Sequence, residues 1–130
     1  MPTLEKILLE ALTFGGALGV AVGDWRSGTC LGAKSADVSA LPERDLSLAI
    51  AGNSEVLRAK LKVAEALAQR LKEIIVVCQE QYHLIWLVNS HGLFIYLVLD
   101  IENGNLALAR IKLEQLAEQL RQLPLKTARF

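Results

Sequence analysis

The sequence predicts an α+β domain in which helices lie on a sheet of antiparallel hairpins. Three observations predict it. Residues 42–72 and 105–122 carry long helical periodicity, five short runs are rich in β-branched and apolar residues, and turn chemistry joins neighbouring runs directly. The resulting order is α-β-β-α-β-β-β-α. Hairpin-joined strands with separate helices define the α+β class.

The elements follow in chain order. Residues 3–13 read as a helix: Thr3 can cap it, and Leu4, Ile7, Leu8, Ala11 and Leu12 keep helical spacing. Gly15 and Gly16 are expected to end it, because glycine tolerates a left-handed backbone. "ALGVAVG" alternates small and branched residues and reads as a strand. "DWRSG" supplies a turn, with Asp24 able to bond nearby backbone and Gly28 free to take positive φ. "TCLGAKS" is the return strand.

From Pro42 to about Lys72 runs the longest periodic stretch, with proline suited to a first helical turn. Leu46, Ile50, Leu57, Leu61, Ala64, Ala68 and Leu71 share one side, and Ala49, Val56, Val63 and Leu67 lie beside them. The combined apolar arc is roughly 160° wide, against the ~100° that a helix covering one core needs. Arg58, Lys62, Glu65 and Gln69 form the expected wet face, and Gly52–Asn53 is a candidate kink or break. "EIIVVCQ", "YHLIWLVN" and "GLFIYLVLD" read as three strands, with "NSHG" turning between the last two. Residues 105–122 form the final helix, with Leu106, Ala109, Ile111 (or Arg110), Leu113, Leu116, Ala117 and Leu120 on its apolar side and Pro124 marking its end.

Composition bounds the function. At 130 residues the chain reads as one domain, 1–130, with a core over about 3–122 and a tail at 123–130. Fourteen Lys and Arg balance fourteen Asp and Glu, so no net field draws the chain to nucleic acid or an anionic membrane. Arg121, Lys126 and Arg129 make only the terminus basic, as a solvated end. The first residues lack a signal-peptide pattern, and no apolar run is long enough to span a bilayer. Cytoplasmic localisation is expected, without membrane insertion.

Motifs for chemistry fail on context. "GTCLGAKS" matches the phosphate-binding loop G-x-x-x-x-G-K-[ST] except that Ala33 replaces the second glycine. That loop must open a helix, whereas "ADVSALP" follows, without helical spacing; a hairpin strand is the better reading. Gly16, Gly19 and Gly23 do not form a dinucleotide fingerprint. Cys30, Cys78, His83 and His91 lack the short repeated spacings of a metal site, and Cys78 reads as a small buried hydrophobe. An enzyme using Cys30 or Cys78 is the outlying alternative, testable by thiol labelling. The paired acids Glu43 and Asp45, at a helix start, and Asp100 and Glu102, at a strand end, have no perturbing neighbour in sequence. No catalytic residue, cofactor or metal is expected. Trp25, at the first hairpin, either anchors a partner or packs on the rim of its own sheet. The widest signal is the central helix, whose arc fits one side on the sheet and the other on a second chain.

Two stretches, "ALGVAVGDWRSG" and "LFIYLVLDIENGNLALARIKLEQLAEQL", together with the element order, resemble the roadblock family, named for a dynein light chain, and especially its bacterial members. The resemblance covers about residues 3–122. It implies a five-stranded antiparallel sheet between helices, as in roadblock and profilin-like folds. It also implies a homodimer built by pairing the central helix and the next strand with their copies. The segments concerned are 49–71 and 73–79, and the interface residues are Val56, Lys60, Val63, Leu67, Ile74, Val76 and Cys78. Family members bind and regulate Ras-like small GTPases, some stimulating GTP hydrolysis by remodelling the GTPase, or act as dimeric scaffolds beside them; bacterial relatives include the regulator of the gliding-motility GTPase. The resemblance therefore implies a non-catalytic platform for a small GTPase, with an adaptor lacking GTPase contact as the alternative. The Gly-Ile-Pro-Ile-Arg stretch of the eukaryotic light chains is missing, which favours a prokaryotic partner.

Overall fold

The computed structural model describes residues 3–88 and 91–124. The order is α1 (Leu4–Ala11), β1 (Ala17–Asp24), β2 (Thr29–Ser35), α2 (Glu43–Ala66), β3 (Glu73–Val77), β4 (Gln81–Leu87), β5 (Leu93–Asp100) and α3 (Leu106–Arg121). The strands form one antiparallel sheet in the order β2-β1-β5-β4-β3. Each hairpin pairs locally, and β1 and β5 close the centre. The fold class and element order are those the sequence predicts.

Local chemistry sets the boundaries. The Thr3 hydroxyl accepts from the Lys6 amide at 3.2 Å, and the Asn105 carboxamide oxygen accepts from the Leu108 amide at 3.0 Å. Both satisfy amides that a helix start leaves orphaned. Gly28 takes φ +79° to close the β1–β2 turn, while the Asp24 carboxylate accepts from the Arg26 amide at 2.9 Å. "TCLGAKS" is β2, so the near-match to a phosphate loop is a strand. The turn residues Asn89 and Ser90, and the tail 125–130 with Lys126 and Arg129, lie outside the described residues.

Strand alternation gives the sheet two apolar faces. One packs on α1 and α3 around Val20, Val22, Leu84, Trp86, Ile95 and Leu97. The other packs on α2 around Ala21, Ile85, Phe94, Tyr96 and Val98, with Leu46, Ile50 and Leu57 from the helix. β5 is buried over Leu93–Leu99 because both of its faces are covered.

The central helix departs from expectation. It runs unbroken through Gly52 and Asn53, which suits an exposed glycine with no neighbour within 4 Å of a Cβ built there. It ends at Ala66, not near Lys72. Ala68 adopts φ 56°, and the Gln69 and Ala68 amides donate to the Ala64 and Glu65 carbonyls at 2.8 and 3.0 Å. This is the Schellman closure, usually made with glycine at the left-handed position. The left-handed conformation costs an L-residue about 1–2 kcal/mol. Ala68→Gly is therefore expected to stabilise the fold by up to about 1 kcal/mol, after glycine's own entropy cost, read as a raised urea midpoint.

The expected core stripe of α2 is shorter than its periodicity: Leu46, Ile50, Ser54 and Leu57 are buried, Leu61 is half-buried, and Ala68 is exposed beyond the helix. Arg58 is not on a wet face, since its guanidinium is half-buried and donates to the Trp25 carbonyl. In α3, Ile111 is exposed rather than part of the apolar side; Arg110 makes a two-pronged bond to Glu73 of β3, each contact 2.8 Å.

Candidate functional site

The two faces of the sheet are not equally covered. On the α1 and α3 side, α3 reaches β4 and its Arg110 ties down the edge strand β3. On the other side, α2 rests chiefly on β1 and β2. Cover of this sheet surface by α2 therefore thins toward the edge strand: Ile85 of β4 is buried in the α2-side core, and Val76 of β3 is exposed.

Register identifies that surface. Ile74 pairs with Ile85, which pairs with Tyr96; Val76 pairs with His83, which pairs with Val98. Ile85, Tyr96 and Val98 belong to the α2-side core, so Ile74 and Val76 share their face by alternation. Ile74 is half-buried against that core, while Val76 is 40% exposed. Beside this surface, α2 carries Val56, Lys60, Val63 and, just past its end, Leu67, at the spacing of one helical stripe. All four are exposed: Val56 45%, Val63 48% and Leu67 66% among the apolar ones. Val56, Val63 and Leu67 thus form a stripe of bare large apolar residues, with Leu48 exposed elsewhere on α2.

Cys78 corrects the sequence reading twice. Strand β3 ends at Val77, so Cys78 lies in the β3–β4 turn, and its thiol is exposed rather than buried. Its amide donates to the Gln81 carbonyl at 2.8 Å, which closes the hairpin. Cys30 is half-buried, with its thiol against the Gly32 carbonyl at 3.5 Å. Among the described residues, no group of three or more His, Cys, Asp or Glu side chains converges in a metal-binding arrangement.

Trp25 is half-buried and packs beside the α2-side core. Its backbone is fixed from two sides, by the Arg58 guanidinium and by its amide donating to the Gly92 carbonyl at 2.8 Å. Its indole borders an open cleft of about 1070 Å³ between the end of α2, residues 67–72 and α3, together with Leu61, Leu71 and Trp86. Its indole N–H is buried without a hydrogen-bond partner among the described residues.

The sequence reading missed a polar relay on the α2-side face of β4 and β5. His83 Nε2 lies 2.9 Å from Gln81 Oε1, and Nδ1 lies 3.0 Å from the Tyr96 hydroxyl, with the two rings edge to face. The Asn53 side chain of α2 approaches the same hydroxyl and works against the rise of its pKa. Burial holds the His83 imidazolium below its ordinary value near 6.5 and, as the largest influence, pushes the Tyr96 phenol up. No spacing in the sequence marks residues 53, 83 and 96 as neighbours. Only the β4–β5 register and the placement of α2 join them.

Solved structures share this fold. The gliding protein MglB from Thermus thermophilus superposes with a TM-score of 0.78 at 20% identity, covering 89% of this chain and 84% of that one. The chain has the roadblock fold. A Roadblock/LC7 domain from Streptomyces avermitilis gives a TM-score of 0.73 at 10% identity over 92% of this chain and 96% of its own. Myxococcus xanthus MglB gives 0.76 at 13% over 92% and 94%. No family model matches the sequence, and no curated protein matches it. At these identities the roadblock likeness is one of fold, carried by hydrophobic pattern rather than by shared side chains. Among the described residues no helix is long and apolar enough to cross a membrane.

Proposed function

We propose that this chain is a roadblock-family domain, spanning 1–130, that works as a homodimeric, non-catalytic binding platform for a Ras-like small GTPase. The observation that carries the reading is the incomplete covering of the sheet. The α2 side of β3 is incompletely covered at Val76, the stripe Val56, Lys60, Val63 and Leu67 stands exposed, and β3 is an edge strand. A second copy related by a twofold axis meets all three needs at once. Its α2 completes the cover over the edge of that face, its stripe packs on this one, and its β3 pairs with β3 to remove an exposed edge. Ile74, Val76 and Cys78 are the strand and turn side of that interface. Trp25 is the candidate contact for the GTPase, because its indole already borders an open cleft.

The GTPase assignment is supported by the fold shared with MglB, described as a gliding protein. It is tested by affinity capture with the purified chain from lysate loaded with GTP or with GDP analogues. Nucleotide-dependent capture of a small GTPase is the expected result. Capture of other proteins regardless of nucleotide supports the alternative, a dimeric adaptor without GTPase contact. Stimulated hydrolysis by the captured GTPase would add an activating role in which the chain remodels its partner and contributes no catalytic residue of its own. The expected site of action is the cytoplasm, with no membrane insertion and no nucleic-acid partner.

A further inference from the structure

The relay at His83 has a single consistent pattern of donors and acceptors. The Gln81 carboxamide oxygen can only accept, so Nε2 carries the proton. In a neutral ring Nδ1 then accepts from the Tyr96 hydroxyl. Protonating Nδ1 reverses that bond: the hydroxyl proton rotates away and the phenol oxygen accepts from Nδ1–H at 3.0 Å. Cross-strand, His83 lies between Val76 and Val98, on the face that the proposed dimer covers.

The elements around the ring bring little charge to it. On β5, Tyr96 is neutral, and Asp100 pairs in register with Gln81, its carboxylate accepting from Asn103. At the β3–β4 turn stands the Cys78 thiol. From α2 the uncharged Asn53 approaches Tyr96, and the charged member of the exposed stripe is Lys60. The Asp100 carboxylate is already bonded to Asn103, and the other acid of the β3–β4 turn, Glu80, is exposed to solvent.

We infer that His83 is a proton-operated gate on self-association: the neutral imidazole permits the β3–β4 face to be covered by a second copy, and the imidazolium opposes it. The inference rests on the homodimer reading above. Covering the face removes water from an imidazole that is already desolvated, so the dimer binds the proton more weakly than the monomer does. By linkage, acid then favours the monomer.

Sedimentation of the full chain at pH 7.5 and pH 5.5 tests this, beside His83→Gln, which keeps a neutral donor and acceptor. The wild type is expected to be a dimer at pH 7.5 and to dissociate about tenfold more readily at pH 5.5, two protons being taken up per dimer. His83→Gln is expected to lose most of that dependence. A dimer equally strong at both pH values, or equal weakening in wild type and variant, overturns the gate and leaves the dimer standing. A monomer at pH 7.5 overturns both. NMR of the wild type gives a second readout independent of the variant's folding. The chain has only two histidines, so the His83 ring can be followed directly. Its titration is expected to move to higher pH on dilution below the dimer dissociation constant; a titration that ignores concentration overturns the gate.

Discussion

Val63→Asp is expected to convert the dimer to a monomer at micromolar concentration while leaving the fold intact. Val63 stands at the middle of the exposed α2 stripe and is 48% exposed in the single chain. In the proposed dimer it is covered, and symmetry places one new carboxylate on each copy. An ion left without a partner in a dry contact costs several kcal/mol. Even about 3 kcal/mol over both copies weakens the dissociation constant by more than a hundredfold. The isolated protomer loses little, because surface substitutions stay within about 0.5 kcal/mol and Val and Asp have similar helix propensity. Sedimentation reads the first effect, and circular dichroism with a urea midpoint at low concentration reads the second. A variant that remains a dimer would refute the stripe as interface. A variant that unfolds would show that Val63 has a structural role its exposure does not reveal.

The largest effect on stability is expected from Phe94→Ala. Phe94 is fully buried on β5 and faces α2. Its cross-strand partner is Gly23, where an added Cβ would lie 3.2 Å from the Phe94 ring and 2.6 Å from Ile50. Glycine there makes the room that the ring and the Ile50 side chain fill together. Removing the ring leaves a cavity that β1 and β5, hydrogen-bonded at the centre of the sheet, cannot collapse to close. The expected cost is about 3–5 kcal/mol, a large share of the roughly 5–15 kcal/mol that holds a domain of this kind together. Chemical unfolding should show a lowered midpoint at nearly unchanged slope.

Much of this molecule was legible in the sequence, and the reason is that its signals are local. Thr3 and Asn105 announce helix starts through bonds made within three residues. Asp24 and Gly28 announce a hairpin through a turn of four residues. β-Branched runs announce strands because alternation is a property of the chain itself. The near-match at "GTCLGAKS" was decided by what followed it, again a local matter.

Other features were illegible for an equally physical reason. Periodicity says which side of α2 is apolar, but not how wide a surface waits beneath it. α2 therefore buries Leu46, Ile50 and Leu57, and leaves Val56 and Val63 bare. The helix ends at Ala66 through a left-handed alanine that no composition rule marks. Arg58 reads as a solvated cation until the Trp25 carbonyl is brought to it, and Cys78 reads as buried until the strand stops one residue earlier.

The sequence by itself determined the element order and the hairpins, because each depends on residues a few positions apart. The tertiary structure alone decided which apolar residues remain uncovered and that Asn53, His83 and Tyr96 meet. Those outcomes depend on strand register and on where a helix lands on a sheet, which are set by packing between segments distant in the chain.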